Sequence, residues 1–239
     1  MSGVQVNAQY NIAAPDSLAQ RAATRVRRAM FNVFMEVLKP RADELALDVG
    51  VTSDQSYEAS NYFEEYYPWK ANITAAGIDD ASFLEAQYPG VKFVTANICA
   101  MPFADKSFDL VHSAAVWEHV GSRANQATML AECLRVARRG VCLTTPNRWF
   151  PIELHTQMPL LHWLPARIYR RLYTKLGLGF FAKEENLNLL TLSDIKQLAG
   201  KHPDWSFTYR VGRLLFWPSN LILFAERRPA TGSAVRTQR

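Results

Sequence analysis

Between residues 45 and 146 the chain repeats one pattern four times: a short apolar run, then an acid, amide, serine or glycine where the run stops. The stops are Leu47-Asp48-Val49-Gly50, Gly77-Ile78-Asp79, Ala96-Asn97-Ile98 and the segment from Ser107-Phe108-Asp109 to His112-Ser113. Runs of this length, separated by helical spacing, become parallel strands joined by right-handed crossovers. The stops then gather along one crevice at the strand ends, where a ligand can touch all of them.

Periodicity places the other elements. Val26, Met30, Phe34 and Leu38 fall on one face of a helix over 20–38 that ends before Pro40. Strands are expected over 44–50, 72–79, 91–96, 108–114 and 140–145, with helices over 57–66, 81–87 and 125–137. Thr191-Leu192-Ser193-Asp194 reads as a capping box opening a helix to about Ala199, and 205–211 with 220–226 alternate like a closing hairpin. The expected fold is α/β: a Rossmann-like, seven-stranded, mostly parallel sheet with helices on both faces and an antiparallel closing hairpin. One domain spans 1–239, divided into a helical lid or packing segment (1–40), a crevice-forming core (43–147), an insertion over the crevice (148–190), a closing helix and hairpin (191–228) and a tail (229–239).

Composition narrows the class. With 49% hydrophobic and 21% charged residues, 239 residues can bury one large core. No leader pattern and no run of about 18 apolar residues is evident, so a cytoplasmic protein that does not span a membrane is expected. Cys99, Cys133 and Cys142 lack a C-x-x-C spacing and read as reduced packing residues. The net charge of +5 favours acidic partners without identifying one.

The order and spacing of the strand endings resemble the class I S-adenosylmethionine-dependent methyltransferases, in particular methyltransferase type 11, over residues 43–147. Met101-Pro102-Phe103, Ser107-Phe108-Asp109 and Trp117-Glu118-His119-Val120 are similar to signatures of that family. The resemblance implies S-adenosyl-L-methionine as cofactor, with 43–147 as the cofactor-binding core. Asp48 and Gly50 match the first motif; Thr52 and Asp54 stand where its second and third glycines would be, so the loop either takes another path or binds the cofactor more weakly. Asp79 is the expected ribose ligand, its carboxylate able to accept from both hydroxyls. Asn97 and Ile98 are expected at the adenine, where Asn97 replaces the usual aspartate and still offers a carbonyl oxygen. Ser113, Ala114 and Ala115 should line the methionine end. His119 is a candidate base and acceptor contact, with loop organisation as its plainer role. Glu132 and Arg135, at i and i+3, read as an ion pair, and Asp109 as structural.

The insertion then becomes the acceptor side. Within it Asn147, Arg148 and His162 are candidate acceptor contacts, and His155 with Glu153 a candidate catalytic base and its orienter. A metal site fits these spacings only loosely, and none is expected. Residues 167–181 form a basic amphipathic segment, with Ile168, Leu172 and Leu176 on one stripe. It suits contact with a membrane surface or an anionic acceptor. The expected activity is methyl transfer to a small-molecule or glycan/lipid-linked acceptor, at oxygen. The alternative is a catalytically silent methyltransferase-like binding module. Nucleic acid is not an expected partner, because the Asn/Asp-Pro-Pro-aromatic base-methylation motif is missing.

Overall fold

The computed structural model describes residues 17–55 and 60–229. Strands β1 (Ala46–Val49), β2 (Ile73–Gly77), β3 (Lys92–Thr95), β4 (Phe108–Ala114), β5 (Ala137–Pro146), β6 (Trp205–Leu214) and β7 (Trp217–Arg227) form one sheet in the order β3-β2-β1-β4-β5-β7-β6. β1 to β5 pair in parallel, while β7 runs antiparallel between β5 and β6, giving the expected closing hairpin. The helices are α1 (Leu18–Leu38), α2 (Tyr62–Tyr66), α3 (Phe83–Gln87), α4 (Arg123–Val136), α5 (Ala166–Lys175) and α6 (Leu192–Ala199). None of the described helices is long and apolar enough to cross a membrane.

Strand alternation divides the core in two. Leu47, Val49, Val111, Val141 and Leu143 point to the face covered by α4 and α6; Ala46, Leu110 and Cys142 point to the face covered by α1, α2 and α3. Helix starts follow from side-chain caps. Ser17 accepts from the Gln20 amide at α1, Ser122 from Asn125 at α4, and Thr191 with Asp194 closes the expected capping box at α6. Lys39, in the left-handed conformation, ends α1 ahead of Pro40. α1 is a packing helix, with Phe34 set edge-on against Phe63 and His112. It also brings Arg27 to the crevice.

Expected α2 begins at 57, but 57–59 lie outside the described residues, as do 1–16 and the tail from 230. The observed α2 starts after Asn61, whose side chain bonds both backbone groups of Thr52 and leaves the helix uncapped. In the insertion, Tyr169, Tyr173, Phe181, Leu187 and Leu189 make a small separate core. The buried face of α5 is therefore its tyrosine stripe; Ile168 and Leu176, one position away, face outward.

Arg135 holds Glu132 at 2.7 Å and also donates to the Phe103 and Met101 carbonyls, while Glu132 accepts from the Met101 amide. The ion pair thus staples the 101–105 loop to α4. Asp109 accepts from the Leu45 amide and pairs with Arg138, a structural role as expected. The three cysteines are free thiols.

Candidate active site

A cavity of about 570 Å³ opens at the ends of β1, β2 and β4. Its size falls in the range that encloses a cofactor or drug-sized ligand, about 300–1,000 Å³. Gly50, Asn97, Ile98 and His119 line it, with Ala114 and Ala115 from the end of β4 and His155 from the insertion. The glycine-poor loop leaves this space open. Thr52 is on the wall, its amide donating to the Asn61 side-chain oxygen and its hydroxyl oxygen accepting from the Asp54 amide, and Asp54 is buried. Gly50 has φ +93°, and a β-carbon there would sit 2.1 Å from Val116 Cγ2, so this one glycine is required sterically.

Two residues expected at the cofactor point elsewhere. Asp48 has the parity of Ala46 along β1, so its carboxylate faces the α1 side and meets His112 Nδ1 at 2.5 Å. Burial pushes Asp48 up to about 7 and His112 down to about 4, and Tyr62 donates to His112 Nε2 at 3.2 Å. Ser113 is also buried, its hydroxyl donating to the Val49 carbonyl at 2.7 Å and tying β4 to β1. Both secure the strand ends that form the wall. Asn97 uses its carbonyl oxygen to accept from the Cys99 amide at 2.9 Å. Asp79 follows the lining residues Gly77 and Ile78, and its buried Oδ2 has no hydrogen-bond partner among the described residues.

On the acceptor side the candidates separate. Asn147 spends its amide on the Pro218 carbonyl and the Trp149 amide, and His162 donates from Nε2 to the Phe150 carbonyl, 2.8 Å away. Burial lowers the His162 pKa. Arg148 reaches the Leu164 carbonyl at 3.2 Å. These three hold the fold of the insertion; none of them lines the cavity.

His155 and His119 are brought to the cavity wall, and behind them lie two buried carboxylates, the expected Glu153 and Glu118, to which the sequence assigned no role. Glu153 Oε1 accepts from His155 Nδ1 at 2.8 Å and its Oε2 from the Thr156 amide at 2.7 Å. His119 Nδ1 donates to the Asn186 carbonyl at 2.6 Å, and its Nε2 lies 3.1 Å from His155 Nε2. Glu118 accepts from the Thr145 hydroxyl through Oε2 at 2.8 Å; its Oε1 stands 3.7 Å from His119 Nε2 and 3.8 Å from His155 Nε2. The fully buried Oε1 has no hydrogen-bond partner among the described residues.

The charges of the four groups are linked. Burial lifts Glu118 to about 7 and, reinforced by the charge on His155, takes His119 down to about 3. For His155 burial opposes the charged form, but the Glu153 and Glu118 carboxylates outweigh it and hold the pKa above the ordinary value. Burial likewise opposes the Glu153 charge, and the His155 cation with its hydrogen bonds wins, holding that carboxyl near 2. The signal for Glu118 in the sequence was its adjacency to His119: the short 3₁₀ turn Trp117–His119 turns both side chains to the same place.

Residues 47–144 match the family model described as a methyltransferase domain. Over those residues, and in its strand order and crevice, the chain is similar to the class I S-adenosylmethionine-dependent methyltransferases, whose methyl donor is S-adenosylmethionine. Among solved structures it is similar to magnesium protoporphyrin IX methyltransferase from Synechocystis with bound SAH (15% identity, 92% of each chain covered, TM-score 0.55). It is also similar to a possible histamine N-methyltransferase from Thermotoga maritima (12% identity, 88% of this chain and 92% of that one, TM-score 0.55). A third, the CurJ carbon methyltransferase, shares 14% identity over 90% of this chain and 56% of its own, with a TM-score of 0.56. No curated protein matches the chain.

Proposed function

We propose that the enzyme transfers the methyl group of S-adenosylmethionine to an oxygen atom of a small-molecule or glycan/lipid-linked acceptor bound beneath the 148–190 insertion. The observation that carries this reading is the meeting of His155, held by Glu153, with His119 on the wall beside Ala114 and Ala115, with Glu118 buried behind both imidazoles. The sulfonium is already a good leaving group, so transfer needs alignment and a dry pocket more than bond-specific chemistry. A hydroxyl acceptor adds one requirement, a destination for its proton, and two imidazoles with two carboxylates supply it.

Gly50 and Ile98 shape the cofactor wall in this reading, Asn97 meets the adenine, and Asp79 takes the ribose hydroxyls with the oxygen that has no hydrogen-bond partner among the described residues. The acceptor's apolar portion is taken by Trp149, Ile152, Trp163 and Ile168, which the insertion exposes along with Arg167 and Arg171. Such a surface suits an interfacial, lipid-linked substrate. Label transfer from methyl-labelled donor into extract fractions tests the assignment. Label in a small, alkali-stable product is expected, with a loss of about 10²-fold or more in turnover for His155→Ala. Label in nucleic acid, or undiminished turnover in that variant, would overturn it.

A further inference from the structure

We propose that Glu118, His119 and His155 bind one divalent first-row transition-metal ion at the wall of the methyl-transfer cavity, with Glu153 and the Asn186 carbonyl orienting the two imidazoles. Each Nδ1–H is committed: that of His119 donates to Asn186 and that of His155 to Glu153. Once the proton that the His155 cation carries on Nε2 is displaced, both Nε2 atoms, 3.1 Å apart, offer their lone pairs to the same point. Two lone pairs that close require a proton or a cation between them. Glu118 Oε1 faces that point as well, fully buried and without a hydrogen-bond partner among the described residues, while Thr145 holds the other oxygen.

The three ligand atoms form a triangle with edges of 3.1, 3.7 and 3.8 Å. The centre of such a triangle is about 2.1 Å from each corner, the length of a bond from Zn²⁺ to imidazole nitrogen or carboxylate oxygen, about 2.0–2.2 Å. A carboxylate or carbonyl on the far nitrogen of a ligating histidine is the usual outer support of such centres. Glu118 and Glu153 together balance a double positive charge in a site from which water is largely excluded.

Two imidazoles with one carboxylate favour zinc, iron, cobalt or manganese over magnesium and calcium, which take oxygen ligands. Three protein ligands leave coordination positions free, and His119 and His155 lie on the cavity wall, so those positions face the acceptor space. An acceptor hydroxyl bound there would lose its proton more easily. That use rests on the methyl-transfer reading; the ion site itself does not.

The test uses the full chain, stripped with a chelator and titrated calorimetrically with Zn²⁺, then with Co²⁺ followed by absorption. One ion per chain at micromolar affinity or tighter is expected. His155→Ala and Glu118→Gln should each weaken it at least a hundredfold, and Glu153→Gln about 10- to 100-fold, all with cooperative thermal melts showing that the variants fold. Mg²⁺ at the same concentration should give no heat. The proposal fails if Zn²⁺ does not bind, if His155→Ala binds as tightly, or if the Co²⁺ spectrum carries a thiolate charge-transfer band implicating Cys99. Since the readout is binding, its failure would leave label transfer intact, and an inactive enzyme that still held zinc would retain the site.

Discussion

Glu64 is a carboxyl in the wrong solvent: fully buried on α2, with neither oxygen hydrogen-bonded among the described residues, and set against Asp48. Burial, followed by the Asp48 charge, drives its pKa well above the ordinary value. A carboxyl whose folded pKa lies above its unfolded one stabilises most below the unfolded value, near 4.5, and that contribution is lost as pH rises toward the folded value. Glu64→Gln mimics the neutral acid and removes this loss. Thermal melts should show the variant gaining on the parent as pH rises from 5 to 8; a constant difference across that range would contradict the argument. At Gly50 the constraint is steric. Gly50→Ala must place a β-carbon into Val116 at a positive φ, costing about 1–3 kcal/mol and displacing the cofactor loop. A drop of at least tenfold in S-adenosylhomocysteine affinity is expected by calorimetry, and unchanged affinity would show that the loop can yield. Single residues were also where the sequence was hardest to read. Asp48 and Ser113 belong to motifs that the resemblance places at the cofactor, yet strand parity turns one to His112 and the other to the Val49 carbonyl. Glu118 is the converse, identified by a turn that brings together residues 37 apart in sequence.

Elements were far more legible, because periods of 2.0 and 3.6 record which faces are buried. The strands β1 to β5, the capping box of α6 and the hairpin all fall within the ranges expected for them or extend those by a few residues. The insertion was the exception. Its small core is assembled from α5 and the segment 178–189, and an apolar stripe read from one helix cannot tell which of two adjacent stripes a distant segment will cover. Burial of Tyr169 and Tyr173 leaves Ile168 at 47% exposure and Leu176 at 56%, with Arg167, Arg171 and Lys175 exposed beside them. If this face meets a membrane, co-sedimentation with vesicles of anionic lipid should exceed that with neutral lipid and fall in high salt, each basic residue contributing about 1 kcal/mol near the surface. Replacing Arg167 and Arg171 with glutamate should lower the bound fraction severalfold while leaving the melting temperature within a degree or two. Equal binding to both lipids, or none, would remove the membrane from the reading of the insertion.

At the scale of the whole molecule, the cavity lies where the two core halves meet. Val49 belongs to the α4 and α6 side and Val51 to the α1, α2 and α3 side, and both line it, together with Arg27 from α1 and His155 from the insertion. A ligand seated there touches the first element, the central strands and the insertion at once, so it should stabilise the chain as a unit. By linkage, S-adenosylhomocysteine at a hundred times its dissociation constant adds about 2.7 kcal/mol. For a chain of this size each kcal/mol raises the melting temperature by about 2–4 °C, so a rise of about 5–10 °C in one cooperative transition is expected. Asp79→Ala removes the proposed ribose grip without touching either core, and should abolish most of that rise while leaving the unliganded melt nearly unchanged. If the ligand instead split the transition in two, with only the 43–147 core shifted, the insertion and α1 would be separate folding units, and the arrangement of His155 over the cofactor would depend on the acceptor's arrival rather than on the fold.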